Sequence, residues 1–549
     1  MIHATTNKSD VNRDRLSVLP PSPVRDRKTI VVVGNGMVGL RFCEKLVEFD
    51  TTRMYRVVTF CEEPRAAYDR VGLTTFFAHR DAEKLMLARQ EWYQEQGIEL
   101  HIADRACSID RNRQLVRSEK GVEIAYDFVV LATGSFPFVP PVPGIDKRGV
   151  FVYRTIEDLE RIIDFARQSR RCAVLGGGLL GLEAARAAHE LGLETHVVEF
   201  SQRLMPRQID ETGSKTLVKR IESMGVRVHL GMSSKEVHGN GVVERLEFAD
   251  GQSLDLDMII VSAGIRPRDD LGKESGLTMG QRGGVLVDDL LRTSDPAIFA
   301  IGECASHRGM VYGLVGPGYE MAEVVAANLT GGDQAFSGTD LSTKLKLMGC
   351  DVASFGDYEA PSERATPLTF EDPFAGIYKK LVFSLDGSRL LGGILVGDAS
   401  AYGVYTMMTK SDAPLPCRPH ELLVGSSGGP ALGTPDSIAD AAQVCSCNNV
   451  SKGQICAAIR KHHLDSVAAV KEHTRAGTGC GGCVPMLTDI FHAELKKCGQ
   501  AVSNHLCEHF ALSRTELFGL IKIKQLRTFD AVLSDCGQGN GCETCKPAV

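Results

Sequence analysis

Ten of the 17 cysteines lie beyond residue 440, and four of them sit in two nearly identical phrases, GTGCGGCVP (477–485) and GNGCETCKP (539–547). Both read G-x-G-C-x-x-C-x-P. Shifted by 62 residues, VCSCNNVSKGQICAAI (444–459) lies without a gap over LCEHFALSRTELFGLI (506–521), so the tail holds two copies of one small fold. The first copy offers Cys445, Cys447, Cys480 and Cys483 as ligands. Zinc sites usually open C-x2–4-C, because two ligands on one ion need a turn between them. A C-x-C pair suits two adjacent irons better, and four thiolates hold a [2Fe–2S] cluster. Spacing alone leaves zinc and a redox dithiol open. In the second copy Cys507, Cys542 and Cys545 keep their places, but His509 stands where the first has Cys447. Either these four form a Cys3His site, less negative and of higher potential, with Cys536 as a substitute fourth ligand, or the copy has lost a ligand and survives by packing.

A second chemistry lies upstream. TIVVVGNGMVG (29–39) is an apolar strand broken at Gly34, Gly36 and Gly39, followed by an amphipathic helix with Leu40, Phe42, Cys43, Leu46 and Val47 at helical spacing. Such a turn lets a pyrophosphate approach the backbone and rest on a helix N-terminus. The next strand, RVVTFCEE, ends in Glu62, suited to a ribose hydroxyl, with Glu63 a rival. The pattern recurs in CAVLGGGLLGLEAARAAHELGLETHVVEF, with Gly176, Gly178, Gly181 and then Glu199, 23 residues past Gly176. A carboxylate there accepts from a free 2′-hydroxyl and repels a 2′-phosphate, which favours NADH over NADPH, with Arg203 and Arg207 nearby as a counterweight.

These elements imply an α/β chain of several domains. Its 549 residues exceed one core. The expected division is a disordered leader (1–28), a first dinucleotide fold (29–150), a second one (151–272), and a stretch carrying a further strand (273–335). A small α+β domain at one edge of the first dinucleotide unit (336–412), a Pro/Gly/Ser-rich linker (413–440) and two small helical cysteine-rich domains (441–497, 500–549) complete it. The leader has no apolar h-region, and no apolar run reaches the roughly 18 residues of a membrane span. A net charge of −7 gives no argument for nucleic acid. Clustered cysteines without a secretory signal fit a reducing, cytoplasmic setting and metal or redox work. Each tail copy also places a serine at a helix start with Gln454 or Glu516 three residues on, a capping-box signature.

YDFVVLATGSFP (126–137) and TSDPAIFAIGECA (293–305) are two further strands, entering Thr133-Gly134 and Gly302-Glu303. With the two glycine turns, their order resembles the two-dinucleotide-binding flavoprotein oxidoreductases. That resemblance implies FAD on the first fold, contacted by Gly34, Gly36, Gly39, Glu62, Arg70, Thr133, Gly134, Gly302 and Glu303, with Glu303 on the ribityl chain. It implies NADH on the second, held by Gly176, Gly178, Gly181 and Glu199, with that fold inserted so that 273–335 return to the first. Disulfide-reducing members carry reactive cysteines shortly after the first acid; AAYDRVGLTTFFAHR (66–80) has none, and Cys43 and Cys61 read as packing. The cysteine pattern of 445–483 is similar to bacterioferritin-associated-ferredoxin-like [2Fe–2S] domains. From about residue 29 to the end, FCEEPRAAYDR, YRTIEDL, GGGLLGLEAA, AGIRPRD, AIGECAS, VCSC and LCEHF resemble the N-terminal part of the large subunits of NAD(P)H-dependent assimilatory-type nitrite reductases, without their siroheme half. The resemblance implies an NADH-dependent electron-transfer component with a nitrite or nitrate reductase polypeptide as acceptor, and it leaves room for a homodimer. The alternatives are a nitrite reductase large subunit working with a separate siroheme polypeptide, and a NADH-binding redox sensor.

Overall fold

The structure, a computed structural model, describes residues 27–339, 341–411, 414–415, 417–424, 440, 442–445, 450–477, 483–498, 509–512 and 514–539. The chain divides into two compact units. The first comprises the described residues up to Asp69, with Glu83–Phe136 and Arg266–Gly338. The second comprises Arg70–Ala82, Pro137–Ile265 and the described residues from Thr339 onward.

The core of the first unit is a five-stranded parallel sheet in the order Ile298–Ala300, Phe128–Leu131, Lys28–Val33, Tyr55–Cys61, Ile98–Ile102. Lys28–Val33 is central and its last four residues are buried, as expected of a parallel strand covered on both faces. Helices Met37–Phe49 and Val315–Leu329 pack against each other. After the central strand the chain runs first to one side and later to the other, which makes the gap between Lys28–Val33 and Phe128–Leu131 the switch point where such sheets bind ligands. Cys43 and Cys61 are both in the interior.

The second unit repeats this plan. Its parallel sheet runs Arg227–Leu230, Glu194–Glu199, Arg171–Leu175, Met258–Val261, Val150–Val152. The YRTIEDL stretch supplies helix Ile156–Ala166, opened by a capping box between Thr155 and Asp158. Residues 343–397 form a five-stranded antiparallel sheet, with helix Tyr402–Lys410 packed on its central strands.

The α+β domain, expected at the edge of the flavin unit, packs on helix Glu211–Glu222 of the second dinucleotide fold. There the Tyr378 hydroxyl donates to Asp210 at 2.7 Å, Lys380 lies 3.5 Å from the same carboxylate, and Tyr358 donates to the Arg207 carbonyl. The expected linker also differs in its described part. Helix Glu421–Val424 buries Leu422 in the α+β core, and the Leu422 carbonyl accepts the Tyr405 hydroxyl. An apolar Leu-Leu pair within a Pro/Gly-rich stretch was enough to fold back.

In the tail, helices Lys452–His462, Val467–Thr474 and Val484–Lys497 share one core with Cys445. The first begins with the expected capping box: the Gln454 N–H donates to the Ser451 hydroxyl at 3.3 Å, and the Ser451 N–H donates to the Gln454 side chain at 2.8 Å. The second copy contributes helices Arg514–Lys524 and Phe529–Cys536 around Phe510, Leu517 and Val532. Its matching cap serine, Ser513, and most of the leader lie outside the described residues. Among the described residues, no helix is long and apolar enough to cross a membrane.

Candidate functional site

The first glycine turn grows directly out of the central strand. Gly34 takes a φ of +106°, and a Cβ there would sit 2.3 Å from the Ala132 carbonyl oxygen. Gly39 closes the helix onto the turn: its Cβ would lie 2.1 Å from the Gly34 oxygen. At Gly36 the opposite holds, and a Cβ would meet nothing within 4 Å. That open face lies at the start of Met37–Phe49, a helix whose N-cap is Gly36 and which receives no side-chain cap hydrogen bond. Its first N–H groups are therefore left for an anion. Asn35, between the two glycines, is buried; its Oδ1 accepts the Tyr93 hydroxyl at 3.0 Å while its amide nitrogen has no partner. An open backbone face, uncapped helix donors and an orphaned buried amide fit the diphosphate of a dinucleotide.

Around this turn the same unit assembles the other expected residues. The Thr133 hydroxyl donates to the Arg268 carbonyl at 2.5 Å, and Gly134, at a φ of +72°, accepts the Arg268 N–H at 2.9 Å. Gly302 packs beneath Val38, and Glu303 accepts the Ser135 hydroxyl at 2.6 Å. Of the two candidate acids, Glu62 follows the strand directly and pairs with the Arg268 guanidinium, while Glu63 accepts the Tyr68 hydroxyl at 2.7 Å. Arg70 belongs to the other unit, where it donates to the Arg154 carbonyl at 3.4 Å.

The second turn has the same construction. A Cβ on Gly176 (φ +121°) would strike the Ser262 oxygen at 2.2 Å, one on Gly181 would strike the Gly176 oxygen at 2.0 Å, and Gly178 is open. Glu199 is buried, and its two carboxylate oxygens accept the Gly177 N–H at 2.6 Å and the Ser201 N–H at 2.7 Å. The acid is thus pinned by the turn it serves. One helical turn into Leu179–Glu190, Glu183 accepts the Thr74 hydroxyl at 3.1 Å, and Thr74 also meets the Tyr153 hydroxyl at 3.1 Å. Burial raises the Glu183 carboxyl above its ordinary range, with the Thr74 hydroxyl opposing.

In the tail, Cys445 is buried at the end of strand Gln443–Cys445, and Cys483 caps helix Val484–Lys497. Both border the same apolar core. Cys447 and Cys480 lie outside the described residues, as do Cys507, Cys542 and Cys545 of the second copy. His509 lies against Gly539, where an added Cβ would come within 3.0 Å of its ring. The thiol of Cys536 donates to the Val532 carbonyl of its own helix at 3.2 Å. Cys456 is buried in helix Lys452–His462.

The first two-thirds of the molecule now carry both glycine turns, both acids and the two further strand ends in one order. Residues 28–327, more than half of the chain, match the family model for pyridine nucleotide-disulphide oxidoreductases. The chain belongs to that family. As a member it is an oxidoreductase of the FAD- and NADH-binding kind. Residues 342–411 match the rubredoxin NAD+ reductase C-terminal domain, and 443–493 match the BFD-like [2Fe-2S] binding domain. The chain is 47% identical over 525 residues to the nitrite reductase (NADH) large subunit of Escherichia coli, covering 95% of this chain and 62% of that protein. It is 32% identical to the assimilatory nitrate reductase electron transfer subunit of Bacillus subtilis, covering 95% and 67%. The crystal structure of a ferredoxin reductase from Rhodopseudomonas palustris superposes with a TM-score of 0.66 at 26% identity, over 73% of this chain and 98% of that one. The chain thus spans 62% of the length of its E. coli relative.

Several residues the sequence did not single out take part in these sites. Asn35 and Arg268 stand inside quoted motifs, GNG and AGIRPRD, so their positions were visible but their partners were not. Ser135, Thr74 and Tyr153 also stand inside quoted stretches, but each acts on a partner at least 79 residues away.

Proposed function

We propose that this chain is an NADH-dependent flavoprotein electron-transfer component that feeds a nitrite or nitrate reductase in the cytoplasm. The observation that carries the reading is the union, in one chain, of two open glycine turns with a cysteine-bearing core at Cys445 and Cys483. A flavin held by these residues would supply the conversion between the two-electron chemistry of NADH and the one-electron chemistry of a [2Fe–2S] cluster.

The chain's own residues bind and orient. Gly36 and the uncapped helix start at Met37 would receive the FAD diphosphate, Glu62 would serve its ribose, and Glu303, hydrogen-bonded by Ser135, would serve the ribityl chain. In the second unit the pinned Glu199 would accept the ribose hydroxyls of NADH, while the open face at Gly178 would admit its diphosphate. No side chain need act as a nucleophile. Burial pushes the Cys43 thiol up to about 12, so this cysteine stays protonated and does not serve as a disulfide relay. Cys445 and Cys483, with Cys447 and Cys480, hold the cluster; the second copy around His509 works as a packing domain. The relatives' names, nitrite reductase large subunit and nitrate reductase electron transfer subunit, support the class of acceptor.

The deciding measurement is iron, zinc and FAD per chain in anaerobically purified protein, with turnover of ferricyanide by NADH. About two irons per FAD and rapid multiple turnover are expected. Stoichiometric zinc without iron refutes the electron exit, and a single slow turnover would identify a sensor.

A further inference from the structure

Arg268 belongs to neither glycine turn, yet it touches both sides of the first one. Glu62 follows strand Tyr55–Cys61, and Thr133-Gly134 follows strand Phe128–Leu131. Those strands flank the central Lys28–Val33 on opposite sides. Their ends are therefore about 10 Å apart, two strand spacings, with the turn from Gly34 to Gly39 between them. Arg268 spans this gap. Its N–H donates to the Gly134 carbonyl at 2.9 Å, its carbonyl accepts the Thr133 hydroxyl at 2.5 Å, and its guanidinium pairs with Glu62. The backbone is clamped on one side of the turn and the cation is delivered to the other.

We propose that Arg268 is a positioning residue for the adenosine diphosphate half of the flavin dinucleotide. The inference rests on the flavoprotein reading and deepens it. A carboxylate has about four lone-pair sites. One Glu62 oxygen satisfied by Arg268 fixes the orientation of the other toward a ribose hydroxyl. The guanidinium also sets a permanent positive charge at the rim of the cleft that takes a diphosphate, and planar guanidinium groups serve such anions well. The guanidinium reaches Glu62, the acid expected on the ribose that FMN lacks, so Arg268 acts on FAD more than on FMN.

The test uses full-length protein stripped of flavin, titrated with FAD or with FMN and followed by quenching of flavin fluorescence. Millimolar FMN covers its weaker binding. Arg268→Met is expected to weaken FAD binding about tenfold or more, with FMN binding changed less than twofold. Arg268→Lys, which keeps the charge, should recover part of the loss. In a Glu62→Gln background the Arg268→Met effect should shrink to less than about threefold, because the two side chains act as a pair. Equal weakening of FAD and FMN would mean that Arg268 only braces the fold, and no weakening of either would mean that it does not act on the cofactor; both overturn the proposal. Wild-type protein that takes up neither flavin would bring down the flavoprotein reading itself, and the proposal with it.

Discussion

Replacing Glu199 by glutamine should move the protein's choice between NADH and NADPH, and the size of the change follows from how the acid is held. Both carboxylate oxygens are engaged by backbone N–H groups at 2.6 and 2.7 Å, in a buried position. Charge-assisted hydrogen bonds of this kind contribute about 1.5–3 kcal/mol each, so the carboxylate cannot swing aside to admit a 2′-phosphate. Two unit charges about 5 Å apart at an effective dielectric of about 20 repel by roughly 3 kcal/mol, and burial of Glu199 limits solvent screening. Glutamine keeps the shape and removes the charge. About 2–3 kcal/mol of repulsion is relieved, so kcat/KM for NADPH relative to NADH should rise about 30- to 150-fold. Glutamine can accept only one of the two N–H groups well, so a fall in Tm of a few degrees should accompany the change. The assay is steady-state reduction of ferricyanide with each nucleotide. A ratio that moves less than threefold, in a variant that still binds flavin, would refute the reasoning.

Glu303→Ala removes the hydrogen bond from the Ser135 hydroxyl and the proposed ribityl contact; FAD should elute from the variant on gel filtration, read as absorbance at 450 nm per chain. Cys445→Ser should abolish the iron–sulfur absorption while the reduction of FAD by NADH, followed by stopped flow, keeps its rate, because the two chemistries use separate residues. His509→Ala should leave iron content and spectrum unchanged; altered iron would give the second copy a cluster. Brief alkylation of the native protein at neutral pH should label exposed Cys498 and spare Cys43, whose thiol burial pushes up to about 12; mass spectrometry of the digested protein separates the two.

Both glycine turns and their acids could be read without coordinates because the strand, the turn, the helix and the second strand are contiguous. A φ of +106° at Gly34 or +121° at Gly176 is a local demand that only glycine meets cheaply. The cap of Ser451 by Gln454 is local in the same way. The repeat of the tail was equally plain, since a 62-residue shift compares the chain only with itself.

What surrounds those turns depended on which strands become neighbours. Glu62 meets Arg268 across 206 positions and Ser135 meets Glu303 across 168, because the sheet brings strand ends together in the order 298, 128, 28, 55 rather than in chain order. The seat of the small α+β domain on helix Glu211–Glu222, through Asp210 and Tyr378, has the same origin. Sequence by itself determined the glycine turns and the cysteine spacing, since those belong to residue type and short range along the chain. Tertiary structure alone decided which side chains orient them, since a hydrogen bond between distant residues exists only after the strands have chosen their neighbours.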